Sequence, residues 1–251
     1  MKKLLLILLC LPMAGFGQNV NIPDANFKAY LVGNSAINTN GDTEIQVSEA
    51  SAFNGNILCT NMNISDLTGI EGFTVLNALY CGGNQLTILD VSQNTFLNEL
   101  SCDDNNLTSL DVSNNIGYFS CANNQLTSLD VSNNIDLGHF SCANNQLTSL
   151  DVRNGNNSNI FTFKVTNNPN ITCINVDNVA WSTANWTVAY GNIDPQNYFS
   201  NNCSPSAIEE HTTNKELLKI TDLLGRETKQ TNQPLFYIYE DGTVEKRIVI
   251  E

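Results

Sequence analysis

The chain has 251 residues and a formal net charge of -14 at pH 7, with 25 acidic against 11 basic side chains. Nucleic acids and anionic membrane surfaces attract basic proteins, so this charge argues against either as a partner. Hydrophobic residues make up 41% of the chain, enough for a folded core.

Residues 1–17, "MKKLLLILLCLPMAGFG", have a basic start, a short apolar run and small residues before Gln18. This pattern predicts a secretory signal peptide, because the apolar run is too short for a stable membrane span. No later stretch is long and apolar enough to cross a bilayer, so no membrane span is expected after cleavage. We therefore expect the protein to be secreted or located at the outer cell surface.

Residues 18–56 precede the repeats and are predicted to form a small helical cap. Asp24 suits the N-cap of a short helix that carries Phe27, Tyr30 and Leu31 on one side.

The cap also contains an EF-hand-like pattern, "NTNGDTEIQVSE", which begins at Asn38. Oxygen-bearing side chains occupy loop positions 1, 3, 5, 7, 9 and 12, a spacing that suits Ca²⁺. The candidate ligands are Asn38, Asn40, Asp42, Glu44, Gln46 and Glu49. Two departures from the pattern are Thr43 in place of glycine and Asn38 in place of aspartate. The alternative is a calcium-free cap held by asparagine turns.

Residues 57–171 repeat the pattern L-x-x-L-x-C-x-x-N-x-L, seen most clearly in "LNELSCDDNNL" from Leu97. The cysteine recurs at intervals of 21, 19 and 21 residues from Cys81 to Cys142. A fixed period near 21 residues is typical of a solenoid of stacked leucine-rich repeats. Alternation of apolar and polar residues around the cysteine predicts one short strand in each coil, and stacked coils then form a parallel sheet. The β-branched and asparagine-rich second half, "LTSLDVSNN", predicts turns and short extended segments rather than helix, and hence a β-rich solenoid.

The cysteine and asparagine positions are predicted to form two inward columns along the stack. The cysteine side chains serve as small apolar fillers, and the asparagine amides pair with backbone groups that the turn leaves free. The cysteine column comprises Cys59, Cys81, Cys102, Cys121 and Cys142. The asparagine column comprises Asn84, Asn105, Asn124, Asn145 and Asn168. We expect these five cysteines to remain thiols, because stacked side chains that project in one direction fit disulfide geometry poorly. Without histidine they also make a poor tetrahedral metal site.

These repeats resemble the internalin J-like leucine-rich repeats with a cysteine ladder, and the repeats of many secreted Bacteroidetes proteins. The resemblance covers residues 57–171. It implies a curved solenoid that binds proteins or glycans, often in adhesion, rather than an enzyme. Internalins also resemble this chain in having an EF-hand-like helical cap before the first coil.

Residues 172–204 no longer follow the repeat and contain both tryptophans. We expect this segment to cap the last coil and to be closed by a disulfide between Cys173 and Cys203, as suits an oxidising compartment.

Residues 205–216 are predicted to form a polar linker, and residues 217–251 are predicted to form a β-rich tail. Alternation on both sides of Asp241-Gly242 predicts a hairpin. The stretches "KITDLLGRE" and "FYIYEDGTVEKRIVIE" resemble the C-terminal sorting domain of type IX secretion cargo. This implies that residues 217–251 bind the type IX secretion machinery. The alternative is an ordinary terminal hairpin.

Outward strand positions give the candidate ligand-binding residues of the concave face. They are Tyr80, Glu99, Ser101, Asp103, Tyr118, Ser120, His139, Ser141, Phe161 and Lys164. Tyr118, His139 and Phe161 are expected at equivalent places in successive coils, as an aromatic stripe suited to protein or sugar contact. The alternative is a solvated face whose aromatic rings only cover the sheet.

The sequence gives little support for catalysis. Neither His139 nor His211 lies in a metal-ligand or nucleophile motif. We predict no catalytic residues and no enzymatic activity, and no cofactor apart from the candidate Ca²⁺. The leading interpretation is a secreted or surface recognition module, and the second is a structural surface or matrix component without a specific ligand.

Overall fold

The computed structural model describes residues 17–112, 116–203, 217–221, 227, 234–239 and 244–248. The chain forms two compact units, one up to Cys203 and one from Ser204 onward. The predicted signal peptide, apart from Gly17, and the predicted linker lie outside the described residues, as does the Asp241-Gly242 turn. Among the described residues, no helix is long and apolar enough to span a membrane.

Ahead of the repeats, the described part of the first unit contains two short helices, α1 (Ala25–Gly33) and α2 (Val47–Ala52). Asp24 is the N-cap of α1, as predicted, and its carboxylate accepts hydrogen bonds from the backbone N–H groups of Asn26 and Phe27. The α1 residues Phe27 and Leu31 are fully buried, so this helix contributes directly to the core.

A six-stranded parallel sheet then runs through the repeats, one strand for each coil. Its strands, in spatial order, are β1 (Asn56–Leu58), β2 (Ala78–Tyr80), β3 (Glu99–Ser101), β4 (Tyr118–Ser120), β6 (His139–Ser141) and β8 (Thr162–Lys164). The central residue of each strand points into the core, and neighbouring central residues are in register. The period-two alternation of the repeat therefore gives the strand that the sequence predicts.

A second sheet has four strands, of which two come from the "TSLDV" half of the coils and two from residues 172–204. It is ordered β10 (Tyr198–Ser200), β9 (Cys173–Asn175), β7 (Ser149–Asp151) and β5 (Ser128–Asp130). The 3₁₀ turn Asn157–Asn159 lies between β7 and β8 in the chain. Helix α3 (Val179–Asn185) lies between β9 and β10. The predicted non-helical second half is confirmed for these coils, and the fold is a parallel β-solenoid of short repeats.

The cysteine column lies in the core, and its five members are free thiols that are completely buried. Burial without a cation nearby disfavours the thiolate and raises the pKa of Cys59 to about 12. The thiols therefore act as apolar filler and are protected from reagents in the folded state.

We predict that five thiols of this column will react in unreduced, denatured protein, and that almost none will react in native protein. A thiol-reactive dye added before and after denaturation measures both counts. The protein sample must lack the predicted signal peptide, because Cys10 lies within it. A denatured count of one or none would mean that the column is oxidised.

The asparagine column holds adjacent coils together through hydrogen bonds. Asn105 shows the pattern that all five follow. Its Nδ2 donates to the carbonyl at the cysteine position of its own coil, Cys102, and of the preceding coil, Cys81. Its Oδ1 accepts from a backbone N–H of the preceding coil, that of Leu86. The residue before each asparagine has a positive φ in every one of these coils. It is Gly, Asp or Asn, the residue types that tolerate the left-handed region. The C-x-x-N spacing thus encodes a left-handed turn followed by an interior amide.

The last coil is closed by a disulfide between Cys173 and Cys203, the pair expected from the sequence.

The second unit has three antiparallel strands in the order β11 (Leu217–Thr221), β12 (Pro234–Tyr239) and β13 (Val244–Ile248). Strands β12 and β13 pair as the hairpin prediction requires.

Candidate functional site

The outward side chains of the six-stranded sheet form a surface that we call the strand face. The sheet register places eight of the predicted binding residues, together with Thr162, in two rows across the coils. The first row is Glu99, Tyr118, His139 and Thr162, and the second is Tyr80, Ser101, Ser120, Ser141 and Lys164.

The centre of the strand face is a ring pair. The rings of Tyr118 and His139 stack with centroids 4.1 Å apart and planes 7° apart. Desolvation is the main reason why the pKa of His139 is lowered, although Asp103 opposes the shift. The imidazole is therefore mainly neutral near pH 7. Both rings are partly exposed and offer a flat, rigid contact surface.

Tyr80 and Glu99 extend this aromatic centre toward the first coil. The Tyr80 hydroxyl donates a hydrogen bond to Glu99 Oε2, and the Tyr80 ring lies 6.5 Å from that of Tyr118. The hydrogen bond to the carboxylate favours the neutral phenol and raises the pKa of Tyr80 to about 12. Three rings and one carboxylate are therefore held together across β2, β3, β4 and β6.

Asp103 has a structural task on this face. Its carboxylate accepts hydrogen bonds from Ser101 Oγ at 2.8 Å, Ser120 Oγ at 2.5 Å and the Ala122 N–H at 2.7 Å. Ser120 and Ser141 are only 6% and 8% exposed, so they form the floor of the surface. These groups shape the strand face, and the rings of Tyr80, Tyr118 and His139 are partly exposed above them.

The predicted equivalence of Phe161 with Tyr118 and His139 is wrong. The register pairs His139 with Thr162, and Phe161 precedes that strand by one residue. The coil before it is longer, with an interval of 23 residues from Cys142 to Val165 instead of 21. A Cβ at Gly138 would lie 2.7 Å from the Phe161 ring, so this ring lies beside the Gly138 backbone, where no side chain opposes it.

A second surface, which sequence reasoning missed, lies where the last coils meet the C-terminal cap. We call it the cap cleft. It has a volume of about 340 Å³, and its aromatic lining is Phe161, Phe163, Trp181, Trp186 and Tyr190. The signal in the sequence was the presence of both tryptophans in a segment that no longer follows the repeat.

The candidate calcium ligands are engaged in hydrogen bonds within the cap. Glu44 forms an ion pair with Lys28 at 2.7 Å, and Glu49 accepts from Thr39, Asn40 and Gln46. Asn38 is 5% exposed and donates to the carbonyls of Val32 and Asp42. Ca²⁺ takes six to eight oxygen ligands. In this arrangement the side chains do not fit that requirement, because the Glu44 carboxylate is directed to Lys28 and the Glu49 carboxylate serves as a cap. Among the described residues, no group of three or more His, Cys, Asp or Glu side chains is placed to hold a metal.

We predict that the melting temperature will be the same in millimolar calcium and in excess chelator, because the cap is already held by its own hydrogen bonds. Differential scanning calorimetry of the two samples provides the measurement. Glu44→Gln, which breaks the ion pair with Lys28, serves as a control that the scan detects changes in this cap. A calcium-dependent rise in wild type would mean that the loop rearranges to bind the ion.

Comparison with known proteins gives structural neighbours only. No protein-family model matches the chain, and no curated protein does. The functional domain of InlJ from Listeria monocytogenes, which includes a cysteine ladder, is similar at 33% identity with a TM-score of 0.50, over 64% of this chain and 38% of that one. The internalin InlF from the same organism is 16% identical (TM-score 0.39, 65% and 46% coverage), and internalin C2 is 14% identical (TM-score 0.35, 66% and 93%).

The chain thus spans 38% of the InlJ functional domain. At that coverage the similarity concerns the repeat architecture and not a whole protein's activity. The fold is a leucine-rich-repeat β-solenoid with a cysteine ladder, similar to that of the InlJ domain.

Proposed function

We propose that this protein is a secreted or cell-surface recognition module that binds a protein partner through the strand face. The observation that carries the proposal is the stacked Tyr118–His139 pair beside Tyr80 and Glu99, on the outward side of a parallel sheet where these side chains are partly exposed. Rigid aromatic groups with a polar surround are the side chains that contribute most at protein interfaces. The similarity to an internalin domain supports a recognition role for a solenoid of this kind.

The charges of the strand face and of the whole chain indicate which charge a partner surface should carry. Glu99 lies among the rings, Lys164 lies at the far end, and the chain as a whole carries -14. A neutral or basic protein surface complements this charge better than an acidic one. Nucleic acid is disfavoured for the same reason.

The test is capture of extracellular proteins from the natural surroundings of the organism on immobilised full-length protein, followed by titration of each captured protein. The double variant Tyr118→Ser, His139→Ser should weaken binding of a true partner at least about tenfold, since it removes the central rings. Phe96→Ser is the matched control, because Phe96 is 68% exposed in the turn before β3 and lies off the strand face. Equal binding by wild type and the double variant would overturn the proposal.

The second candidate is a structural surface or matrix component without a specific ligand. The exposed apolar side chains outside the strand face, such as Ile88 and Phe96, are compatible with packing between copies. Ordered self-assembly of purified protein, with no saturable partner in the capture experiment, would favour this candidate.

Export is the second part of the proposal. The predicted signal peptide of residues 1–17 and the tail of residues 217–251 support export to the outer surface by the type IX system. At that surface the protein would act in adhesion to proteins or glycans. Deletion of residues 217–251 should retain the protein inside the cell envelope, whereas Ile88→Ser, at an exposed position of the solenoid, should not affect its sorting. Secretion of the tail-deleted chain at the wild-type level would show that residues 217–251 form an ordinary terminal hairpin.

A further inference from the structure

The cap cleft has a rigid aromatic floor with exposed aromatic residues at its rim. The rings of Phe163 and Trp186 stack with centroids 3.8 Å apart, and Trp181 meets Trp186 edge-on at 5.4 Å. Trp186 is only 3% exposed, so it is fixed in the core. Phe161 and Tyr190, by contrast, are 83% and 78% exposed. Within this unit, the large rings at the rim of the cleft are therefore accessible to solvent.

Unpaired polar groups accompany these rings. Neither tryptophan indole N–H has a hydrogen-bond acceptor among the described residues, and the Tyr190 hydroxyl has no partner there either. Asn185 donates from Nδ2 to the Trp181 carbonyl at 2.8 Å, which leaves its Oδ1 available to a ligand. Asn192 is used internally, since its Nδ2 donates to the Phe163 carbonyl and its Oδ1 accepts from Thr187. The residues that line the cleft thus carry both donors and an acceptor beside flat apolar surfaces.

Every residue that lines the cleft is uncharged, in a chain with 25 acidic side chains. A charged ligand would find no counter-charge here, so the complementary ligand is neutral. Apolar side chains packed on these rings would cover the indole N–H groups and the phenol without giving them partners, which is unfavourable. A sugar ring has an apolar C–H face for the aromatic rings and hydroxyl groups for the polar atoms at its edge.

We propose that the cap cleft binds the neutral pyranose units of a polysaccharide. The sugar ring stacks on the exposed rings of Phe161 and Tyr190, and its hydroxyl groups pair with the indole N–H groups and Asn185 Oδ1. None of the residues that line the cleft belongs to the two rows of the strand face, although Phe161 lies beside Gly138, the residue before His139.

The two tryptophans make the test direct, because they are the only ones in the chain and both line the cleft. Full-length protein is titrated with neutral hexasaccharides of glucose (β-1,4 and α-1,4), N-acetylglucosamine and xylose, and with an anionic alginate oligomer as comparison. We expect a saturable change of tryptophan emission with at least one neutral oligomer and none with alginate. Confirmation by isothermal titration calorimetry excludes an optical artefact.

Variants locate the binding. Tyr190→Ala and Phe161→Ala should each weaken the affinity for that oligomer at least about tenfold, because each removes a stacking ring. Tyr198→Ala is the matched control, since Tyr198 is 57% exposed on the same cap but does not line the cleft. Circular dichroism verifies that the variants are folded.

Several results would overturn the proposal. They are the absence of saturation with every neutral oligomer, equal binding of alginate, or full affinity in Tyr190→Ala. Concentration-dependent self-association that Tyr190→Ala abolishes would instead identify a second copy of the chain as the occupant. Tyr118→Ser, His139→Ser should bind the oligomer normally, so failure of the strand-face proposal and failure of this one give different results.

Discussion

Replacing Phe140 with alanine should lower the free energy of unfolding by about 4 kcal/mol, the usual cost of removing a buried phenylalanine ring. Phe140 is completely buried between Phe119 and Phe163, with ring centroids 5.9 and 5.7 Å away. The column continues through Phe163 to Trp186 of the cap. The cavity left by the ring would therefore interrupt the aromatic column that joins the coils to the cap. The closely packed neighbouring side chains cannot move far enough to fill that cavity.

Phe140→Leu is the matched control, because the same slot holds Leu79 and Leu100 in the earlier coils. It should cost much less, below about 1.5 kcal/mol, since it keeps most of the apolar volume. Urea unfolding followed by circular dichroism gives both values from the shift of the midpoint. A loss in Phe140→Ala no larger than in Phe140→Leu would mean that the column is loosely packed.

Much of the solenoid could be predicted because a short repeat places the same physical demand on each coil. The alternation around Cys102 and Cys121 determines which side chains point inward, and the C-x-x-N spacing determines where the chain turns. Both features are local, so they can be read without knowing which coils touch. The disulfide between Cys173 and Cys203 followed from the loss of the repeat between them.

The errors came from features that depend on register and on tertiary contacts. Phe161 lies one position before Thr162, and Thr162 is the equivalent of His139 because Phe163 and Val165 take the inward places of Phe140 and Cys142. The role of Asp103 was missed because its three hydrogen-bond donors come from two different coils. The cap cleft depends on how α3 and the residues after it meet Phe163, and no periodic pattern describes that contact.

Replacing Asn124 with alanine should lower the free energy of unfolding by about 3 kcal/mol. Asn124 is 7% exposed, its Nδ2 donates to the carbonyls of Cys102 and Cys121, and its Oδ1 accepts from the Leu107 N–H at 2.9 Å. The two carbonyls keep a second partner from the neighbouring ladder amides, since Asn105 donates to Cys102 and Asn145 to Cys121. The Leu107 N–H is left buried and unpaired, and that orphaned donor accounts for most of the cost.

Two further variants separate this explanation from a simple loss of packing. Gln125→Ala, at the exposed neighbouring position, should change the free energy of unfolding by less than about 0.5 kcal/mol. Asn124→Asp keeps an acceptor for the Leu107 N–H but brings a carboxylate toward the carbonyls of Cys102 and Cys121, so burial raises its pKa above that in the unfolded chain. Its destabilisation should therefore be larger at pH 7 than at pH 4, where protonation removes the charge and restores a donor. Urea midpoints at the two pH values, each compared with wild type, measure the difference, and an Asn124→Asp penalty independent of pH would contradict a ladder held by amide hydrogen bonds.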